Sequence, residues 1–150
     1  MAEDALMTAA KLTVTVHIPG RLDFLRVARH AVADLCAQAR APVTWASQLE
    51  MAVDEACANI IEHSYHHAEN NPGIQISLTR YADRIEADIQ DTGAGFAFDH
   101  AHPIPPDRYI EEGRSRGLGL HIIRSFVDQA TYRHGTPTGN SLRLVKRLPH

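Results

Sequence analysis

The chain has 150 residues, of which 44% are hydrophobic and 22% are charged, and its formal net charge is −3 at pH 7. This length suits a single domain that buries a core without help from disulfides or a structural metal. The charge provides no basic stripe, which argues against direct binding to nucleic acid.

The first half of the chain predicts one strand followed by two helices. Residues 11–18 alternate between apolar and polar side chains, which is the period of a half-buried strand. Residues 21–38 repeat their apolar side chains with a helical period. A second helix is predicted to begin near Thr44 or Ser47, because either side chain can cap it, and to run to about His66.

The second half predicts a hairpin, a lid, a third helix and two more strands. A turn sequence at 70–73 precedes alternating stretches at 74–78 and 85–89, which a tight link joins as a hairpin. Residues 96–116 have no sustained period and contain three prolines, which indicates either a wrongly assigned element or a functional lid. A helix is predicted at 117–127, and strands at 129–133 and 141–148 flank a turn at 135–139.

This order of elements predicts the α+β fold class. Adjacent strands with tight links and few helices favour a two-layer sandwich, in which a mixed but mostly antiparallel sheet carries the helices on one face. No internal repeat or linker divides the chain. We therefore expect a disordered N-terminus over residues 1–10 and a single domain over residues 11–148.

The sequence also favours a cytoplasmic location. Residues 1–10 lack the basic region and the apolar core of a signal peptide. No apolar run approaches the ~20 residues that a membrane-spanning helix requires. Cys36 and Cys57 lie far apart in apolar stretches, as buried free thiols do in a reducing compartment.

A polar pair, Glu55 and Asn59, stands on the second predicted helix. Residues four apart lie one above the other on one helix face, and here the adjoining face is apolar. A solvated surface pair has the same spacing, and this pattern often arises by chance. Its meaning depends on the segments that accompany it.

The turn at 91–96, Asp-Thr-Gly-Ala-Gly-Phe, follows the second strand of the predicted hairpin. A tight turn after a strand is one explanation for its Asp and two glycines. The same residues also suit a nucleotide, because Asp91 can accept a hydrogen bond from the exocyclic amine of adenine. Gly93 and Gly95 would let the backbone approach a flat ring where a Cβ would collide.

The sequence Gly-Leu-Gly-Leu at 117–120 opens the third predicted helix. Free N–H groups and the positive end of the helix dipole favour phosphate at such a start, although glycines there are also ordinary loop residues. Arg114 and Arg116, just before it, add donors that suit phosphate oxygens. A solvated cluster of charges is the alternative interpretation for these two arginines.

Taken together and in this order, the three segments resemble the GHKL (Bergerat-fold) ATP-binding domains. Among these, the chain is similar to the bacterial anti-sigma factor serine/threonine kinases. Residues 51–65 match the N-box of the family, residues 91–96 its first glycine box and residues 116–123 its second. Segments at 125–128 and 139–146 also match, so the resemblance extends from about residue 11 to residue 148.

The resemblance implies a role for each matching residue. Glu55 is expected to be the catalytic base, and Asn59 to contact the nucleotide and to bind its magnesium ion. Asp91 is expected to bind adenine. The remaining residues implied to shape the nucleotide pocket are Gly93, Gly95, Arg114, Arg116, Gly117, Leu118 and Gly119.

The chain departs from the family pattern at two places. The lid between the two glycine boxes has no counterpart that identifies its γ-phosphate contact, so Arg114 and Arg116 are only candidates for that role. In the late strand beside the adenine site, family members often carry a Thr, whereas this chain has Asn140-Ser141.

The resemblance implies an ATP- and magnesium-dependent serine/threonine kinase that phosphorylates a small anti-sigma-antagonist protein and regulates transcription by partner switching. It also implies a sigma factor as a second partner and pairing as a homodimer. The net charge and the lack of a long apolar run argue separately against direct binding to nucleic acid or membrane. One alternative is a nucleotide-dependent anti-sigma factor that binds its partners without phosphotransfer. Another is an ATPase of the chaperone or topoisomerase type, for which these 150 residues include no transducer domain.

Overall fold

The computed structural model describes residues 11–98 and 115–149, and for residues 115–118 it describes the backbone alone. The strands are β1 (Leu12–Ile18), β2 (Ile74–Arg80), β3 (Arg84–Asp91), β4 (Gln129–Thr136) and β5 (Gly139–Arg147). The helices are α1 (Leu25–Gln38) after a 3₁₀ turn at Leu22–Phe24, α2 (Val43–Asn59) continued by a π-helical turn at Ile60–Ser64, and α3 (Ser115–Phe126). None of these described helices has the length and apolar character needed to cross a membrane. The predicted N-terminal segment and most of the predicted lid lie outside the described residues.

The five described strands form one sheet in the order β1-β2-β3-β5-β4. Every pairing among them is antiparallel, so the α+β class and the mostly antiparallel sheet are confirmed, and these described strands include no parallel pair. Short links join β2 to β3 and β4 to β5, and links of that length allow only antiparallel neighbours. In this register Asp91, at the end of β3, lies opposite Asn140 near the start of β5.

The core lies between the helices and one face of the sheet. Every second residue of β3 is buried, and the apolar ones, Ile85, Ala87 and Ile89, belong to the same core as the apolar faces of α1 and α2. Both cysteines are buried free thiols, and burial raises the pKa of Cys36 to about 12. The buried residues of α2 are Leu49, Ala52, Val53, Ala56, Cys57 and Asn59.

Helix α2 begins at Val43, before either of the predicted caps, Thr44 and Ser47. Pro42 is already extended there, with φ −59° and ψ 148°, and its carbonyl oxygen accepts a hydrogen bond from Ala46 N at 2.9 Å. Proline suits a helix start because it has no N–H to lose. The ring of Pro42 therefore sets the boundary that the side-chain caps were expected to set.

The third helix and the last hairpin also have bounds that differ from the predicted ones. Helix α3 begins at Ser115, so Gly117 lies inside its first turn instead of opening it. Strand β4 continues to Thr136 and β5 starts at Gly139, which leaves a two-residue turn where a longer one was predicted. The φ of +109° at Gly139 explains the glycine, because side chains disfavour that conformation.

Candidate functional site

Helix α2 carries the polar pair Glu55 and Asn59 at its C-terminal end. Asn59 is only 4% exposed, and its Nδ2 makes no hydrogen bond to any described residue. Burying an amide without a partner is unfavourable unless another molecule supplies the missing bond. Asn59 is therefore a polar group that the described part of the protein leaves available to a ligand.

The second glycine segment packs directly on this pair. A Cβ added to Gly119 would lie 2.7 Å from Oε2 of Glu55 and 3.5 Å from Nδ2 of Asn59. Real Cβ atoms essentially never approach another atom within 3.0 Å, so only glycine allows this contact with Glu55 in place. The first turns of α3, at the positive end of its dipole, thus lie against a carboxylate and an amide.

The surroundings of Glu55 favour its protonated form. Burial raises the pKa of its carboxyl group, and the neighbouring carboxylates of Asp54 and Glu62 raise it further. Asp54 is itself paired with Arg29 at 2.6 Å. A carboxylate with a raised pKa is a stronger base than one in water, which suits the removal of a proton from a hydroxyl group.

The π-helical turn connects α2 to the first glycine turn. Tyr65 N donates to Ile60 O at 2.8 Å, which is the i→i+5 bond of this helix type. The carbonyl oxygen of Ser64 then accepts a hydrogen bond from Ala94 N at 3.0 Å. A Cβ on Gly93 would lie 2.6 Å from that same oxygen, so glycine is required there. The glycine turn is thereby bonded to the helical stretch that carries the polar pair.

Asp91 is 3% exposed, and its two carboxylate oxygens have different surroundings. Oδ2 accepts three hydrogen bonds, from Ser64 Oγ at 2.5 Å, Gly93 N at 2.9 Å and Asn140 Nδ2 at 3.1 Å. No described residue donates to Oδ1. Because each carboxylate oxygen has two lone-pair sites, Oδ1 keeps its full capacity to accept hydrogen bonds from a ligand.

Gly95 sets the other side of the first glycine turn. Its φ of +80° lies in the region that side chains disfavour, and its N–H donates to Ser64 Oγ at 2.8 Å. A Cβ at this position would lie 2.3 Å from Cδ2 of His134. The His134 ring also forms a hydrogen bond with Ala94 O at 2.8 Å. Strand β4 therefore closes the turn opposite α2.

The structure brings together the sequence segments that were predicted to form one site. Gly119 contacts the polar pair, Gly93 contacts Ser64, and both contacts fall on the single helical stretch 55–64. Arg114 lies outside the described residues. Three further predicted residues lie in the first turn of α3: Arg116, Gly117 and Leu118. The functional roles of all these residues stay predictions.

Sequence reasoning gave no individual role to Ser64 or Tyr65 and noted Asn140 only as a departure from the family. In the structure Ser64 and Asn140 hold Asp91, and Tyr65 bonds to the backbone of the first glycine turn. Ser64 stands five residues after Asn59 in a π-helical turn, which a search for the 3.6-residue period of an α-helix does not anticipate. The signal for Asn140 was its place at the start of the strand that pairs with the Asp91 strand.

The site therefore combines four chemical capacities. It contains a carboxylate of raised pKa, a buried amide without a described partner, a helix start and a second carboxylate with an unused oxygen. A helix start favours anions, whereas the unused oxygen requires a hydrogen-bond donor. The arrangement fits a ligand that has a phosphate group at one end and a donor group at the other.

Comparison with known families agrees with this geometry. The model of the family described as histidine kinase-like ATPase domain matches residues 18–146. That range contains every described residue of the site.

Similar proteins cover nearly the whole chain. The serine-protein kinase RsbW of Bacillus velezensis is 24% identical over 139 residues, which are 90% of this chain and 85% of that protein. RsbW of Halalkalibacterium halodurans is 26% identical over 140 residues (91% and 83%), and RsbW of Bacillus subtilis is 23% identical over 139 residues (90% and 85%). A chain in the crystal structure of the SiaB-SiaC complex from Pseudomonas aeruginosa matches with a TM-score of 0.62 at 13% identity, covering 98% of this chain and 96% of that one. At this identity the structural match shows a shared fold.

Proposed function

The chain belongs to the histidine kinase-like ATPase domain family, and on this premise we propose that it is an ATP-dependent serine/threonine protein kinase. The reaction would transfer the γ-phosphoryl group of magnesium-bound ATP to a hydroxyl group of a small anti-sigma-antagonist protein. The observation that carries this proposal is the packing of Gly119 on Glu55 and Asn59. It brings a helix start, a carboxylate and an amide together, and phosphoryl transfer depends on positioning and electrostatic stabilisation by groups of these kinds.

Asp91 supports the recognition of adenine. Its Oδ2 is occupied by three protein donors, while Oδ1 receives none from the described residues. The 6-amino group of adenine is a hydrogen-bond donor, whereas guanine has a carbonyl oxygen at that position. A carboxylate can only accept hydrogen bonds, so Asp91 favours adenine over guanine.

Asn59 and the start of α3 support the binding of the triphosphate and its metal. The Asn59 amide is buried without a described partner, and a half-turn about its last bond exchanges its nitrogen and oxygen. Its oxygen is a suitable ligand for Mg²⁺, which keeps several waters and needs few protein ligands. The N–H groups in the first turn of α3 would bind phosphate oxygens.

Glu55 supports phosphoryl transfer over binding alone. It contacts Gly119 of α3, at the end of the site proposed for the phosphates. As the oxygen of the acceptor hydroxyl bonds to the γ-phosphorus, the bond from that phosphorus to the bridging oxygen of ADP breaks. The hydroxyl proton passes to Glu55, whose raised pKa suits a general base.

The proposed partners follow from the relatives. Proteins named serine-protein kinase RsbW align with 90% of this chain or more at 23–26% identity. We propose that the phosphoryl acceptor of this chain is a serine or threonine of a small antagonist protein. A sigma factor as the second partner, a homodimeric state and a cytoplasmic location complete the proposal.

Transfer of radiolabel tests the proposed function. The full chain is incubated with γ-³²P-labelled ATP, Mg²⁺ and each anti-sigma-antagonist protein of the source organism in turn. We expect label on a serine or threonine of one antagonist, and no label when the chain carries Glu55→Gln. The matched control is Ser77→Ala, which removes an exposed hydroxyl group that bonds to Thr15 on the sheet and should leave transfer unchanged.

Each negative result of this experiment points to a different alternative function or mechanism. A wild-type chain that binds ATP but labels no antagonist would support a nucleotide-dependent binding protein without phosphotransfer. Full labelling by Glu55→Gln would remove the base from the mechanism. A wild-type chain that binds no ATP would overturn the proposal as a whole.

A further inference from the structure

The bonds to Asp91 Oδ2 come from three separate parts of the fold. Ser64 belongs to the π-helical turn, Gly93 to the first glycine turn and Asn140 to strand β5. Ser64 and Asn140 are 3% and 2% exposed. Two buried side chains from distant parts of the sequence thus meet on one oxygen of a third, which suggests a shared task.

The Asn140 amide has a fixed orientation and no donor left over. Its Nδ2 donates to Asp91 Oδ2 at 3.1 Å and to Gly93 O at 3.0 Å, and its Oδ1 accepts from Gly135 N at 3.0 Å. A flipped amide would direct its oxygen at two acceptors and its nitrogen at a donor. Because both amide hydrogens are already used, Asn140 cannot donate to a base or to a bridging water.

The Ser64 hydroxyl group is used in the same way. Its single proton goes to Asp91 Oδ2 at 2.5 Å, and its oxygen accepts from Gly95 N at 2.8 Å. The hydroxyl therefore links the carboxylate to the turn that would approach the base. Its hydrogen, like those of Asn140, is not available to a ligand.

We propose that Ser64 and Asn140 are positioning residues for adenine recognition, an inference that rests on the proposed function. They hold Oδ2 of Asp91 so that the rotation of the carboxylate is fixed and Oδ1 remains for the 6-amino group. Neither residue touches the base. Adenine selectivity then depends on the orientation of one carboxylate, which two side chains from different elements of the fold set.

Nucleotides that differ only in the 6-amino group test the inference. Calorimetry compares ATP with purine riboside 5′-triphosphate, which lacks that group, for the wild type, Ser64→Ala, Asn140→Ser and the control Ser77→Ala. Ser64→Ala and Asn140→Ser should each lose about tenfold in affinity for ATP, which is the scale of one hydrogen bond to a charged group. Their affinity for the analogue should change little. Ser77→Ala should match the wild type with both nucleotides.

If Ser64 and Asn140 had a merely structural role, their variants would lose affinity equally for both nucleotides, and that result would overturn the inference. Unchanged ATP affinity in both variants would overturn it as well. Thermal melting verifies that each variant folds. If one variant does not fold, the other decides, since the two residues come from different elements. A wild type that binds both nucleotides equally would instead remove the Asp91–adenine contact from the proposed function. If the wild type prefers ATP but the variants show no selective loss, the inference is wrong and the proposed Asp91–adenine contact is unaffected.

Discussion

Gly119→Ala adds one methyl group where α3 meets the polar pair of α2, and we expect it to disable phosphoryl transfer without harming the fold. The new Cβ would lie 2.7 Å from Oε2 of Glu55, while ordinary contact begins at 3.4 Å. The carboxylate therefore has to retreat by about 0.7 Å, from 2.7 Å to 3.4 Å. The contact with Asn59, at 3.5 Å, needs no movement.

The two effects of this change have different magnitudes. Oε2 is the far end of a flexible side chain, so its retreat costs little folding energy, and Ala is favoured over Gly within a helix by roughly 0.5–1 kcal/mol. The free energy of unfolding should stay within about 1 kcal/mol of the wild-type value. Misplacing a catalytic group by about 1 Å can slow a reaction by about 100-fold, so we expect a loss of roughly 10- to 100-fold in transfer rate.

The measurements are label transfer at saturating ATP and thermal denaturation, with Ser125→Ala as the control. Ser125 is exposed on the same helix, and its alanine variant should transfer at the wild-type rate. A wild-type rate for Gly119→Ala would refute the reasoning that the position of Glu55 matters. A loss of several kcal/mol in stability would instead make Gly119 a packing residue.

Three other changes test single residues of the site. Glu62→Gln removes a carboxylate that raises the pKa of Glu55, so the acid limb of the rate–pH profile, where Glu55 becomes protonated, should move to lower pH; an unmoved limb would contradict Glu55 as the base. Asn59→Ala should weaken ATP binding measured with Mg²⁺ more than binding measured in EDTA, and equal losses by calorimetry would exclude the metal role. Asp91→Asn should abolish or severely weaken ATP binding: if the amide oxygen takes the three protein donors, an NH₂ group faces the adenine amine. Unchanged affinity in a calorimetric titration would refute that argument.

Much of the fold was predictable because each element carries its own period. The alternation at Ile85, Ala87 and Ile89 reappears as the buried face of β3, and the helical periods mark α1 and α2. The spacing of Glu55 and Asn59 was equally predictable, since it depends only on helix geometry. These features are local, and local physics determines them.

The contacts between distant segments were not predictable from periods or propensities. Nothing in the residues around Gly119 shows that a carboxylate from α2 fills the space where its Cβ would stand. The order of the motifs suggested a common site, but only the packing of α3 on α2 supplies the contact. The bonds of Asn140 depend likewise on the register of β5 beside β3, which long-range pairing sets.

The π-helical turn explains how one helical stretch serves both ends of the site. In an α-helix residues four apart share a face, so regular winding would direct Ser64, five residues after Asn59, away from that face. The bond from Tyr65 N to Ile60 O accommodates one more residue in the turn, and Ser64 then reaches Asp91. One helical stretch, with an uncommon helix form at its end, thus carries both the proposed metal ligand and the residue that holds the proposed base-binding carboxylate. Local helix propensity carries no information about this arrangement, because Ser64 gains its hydrogen bond only when strand β3 brings Asp91 beside it.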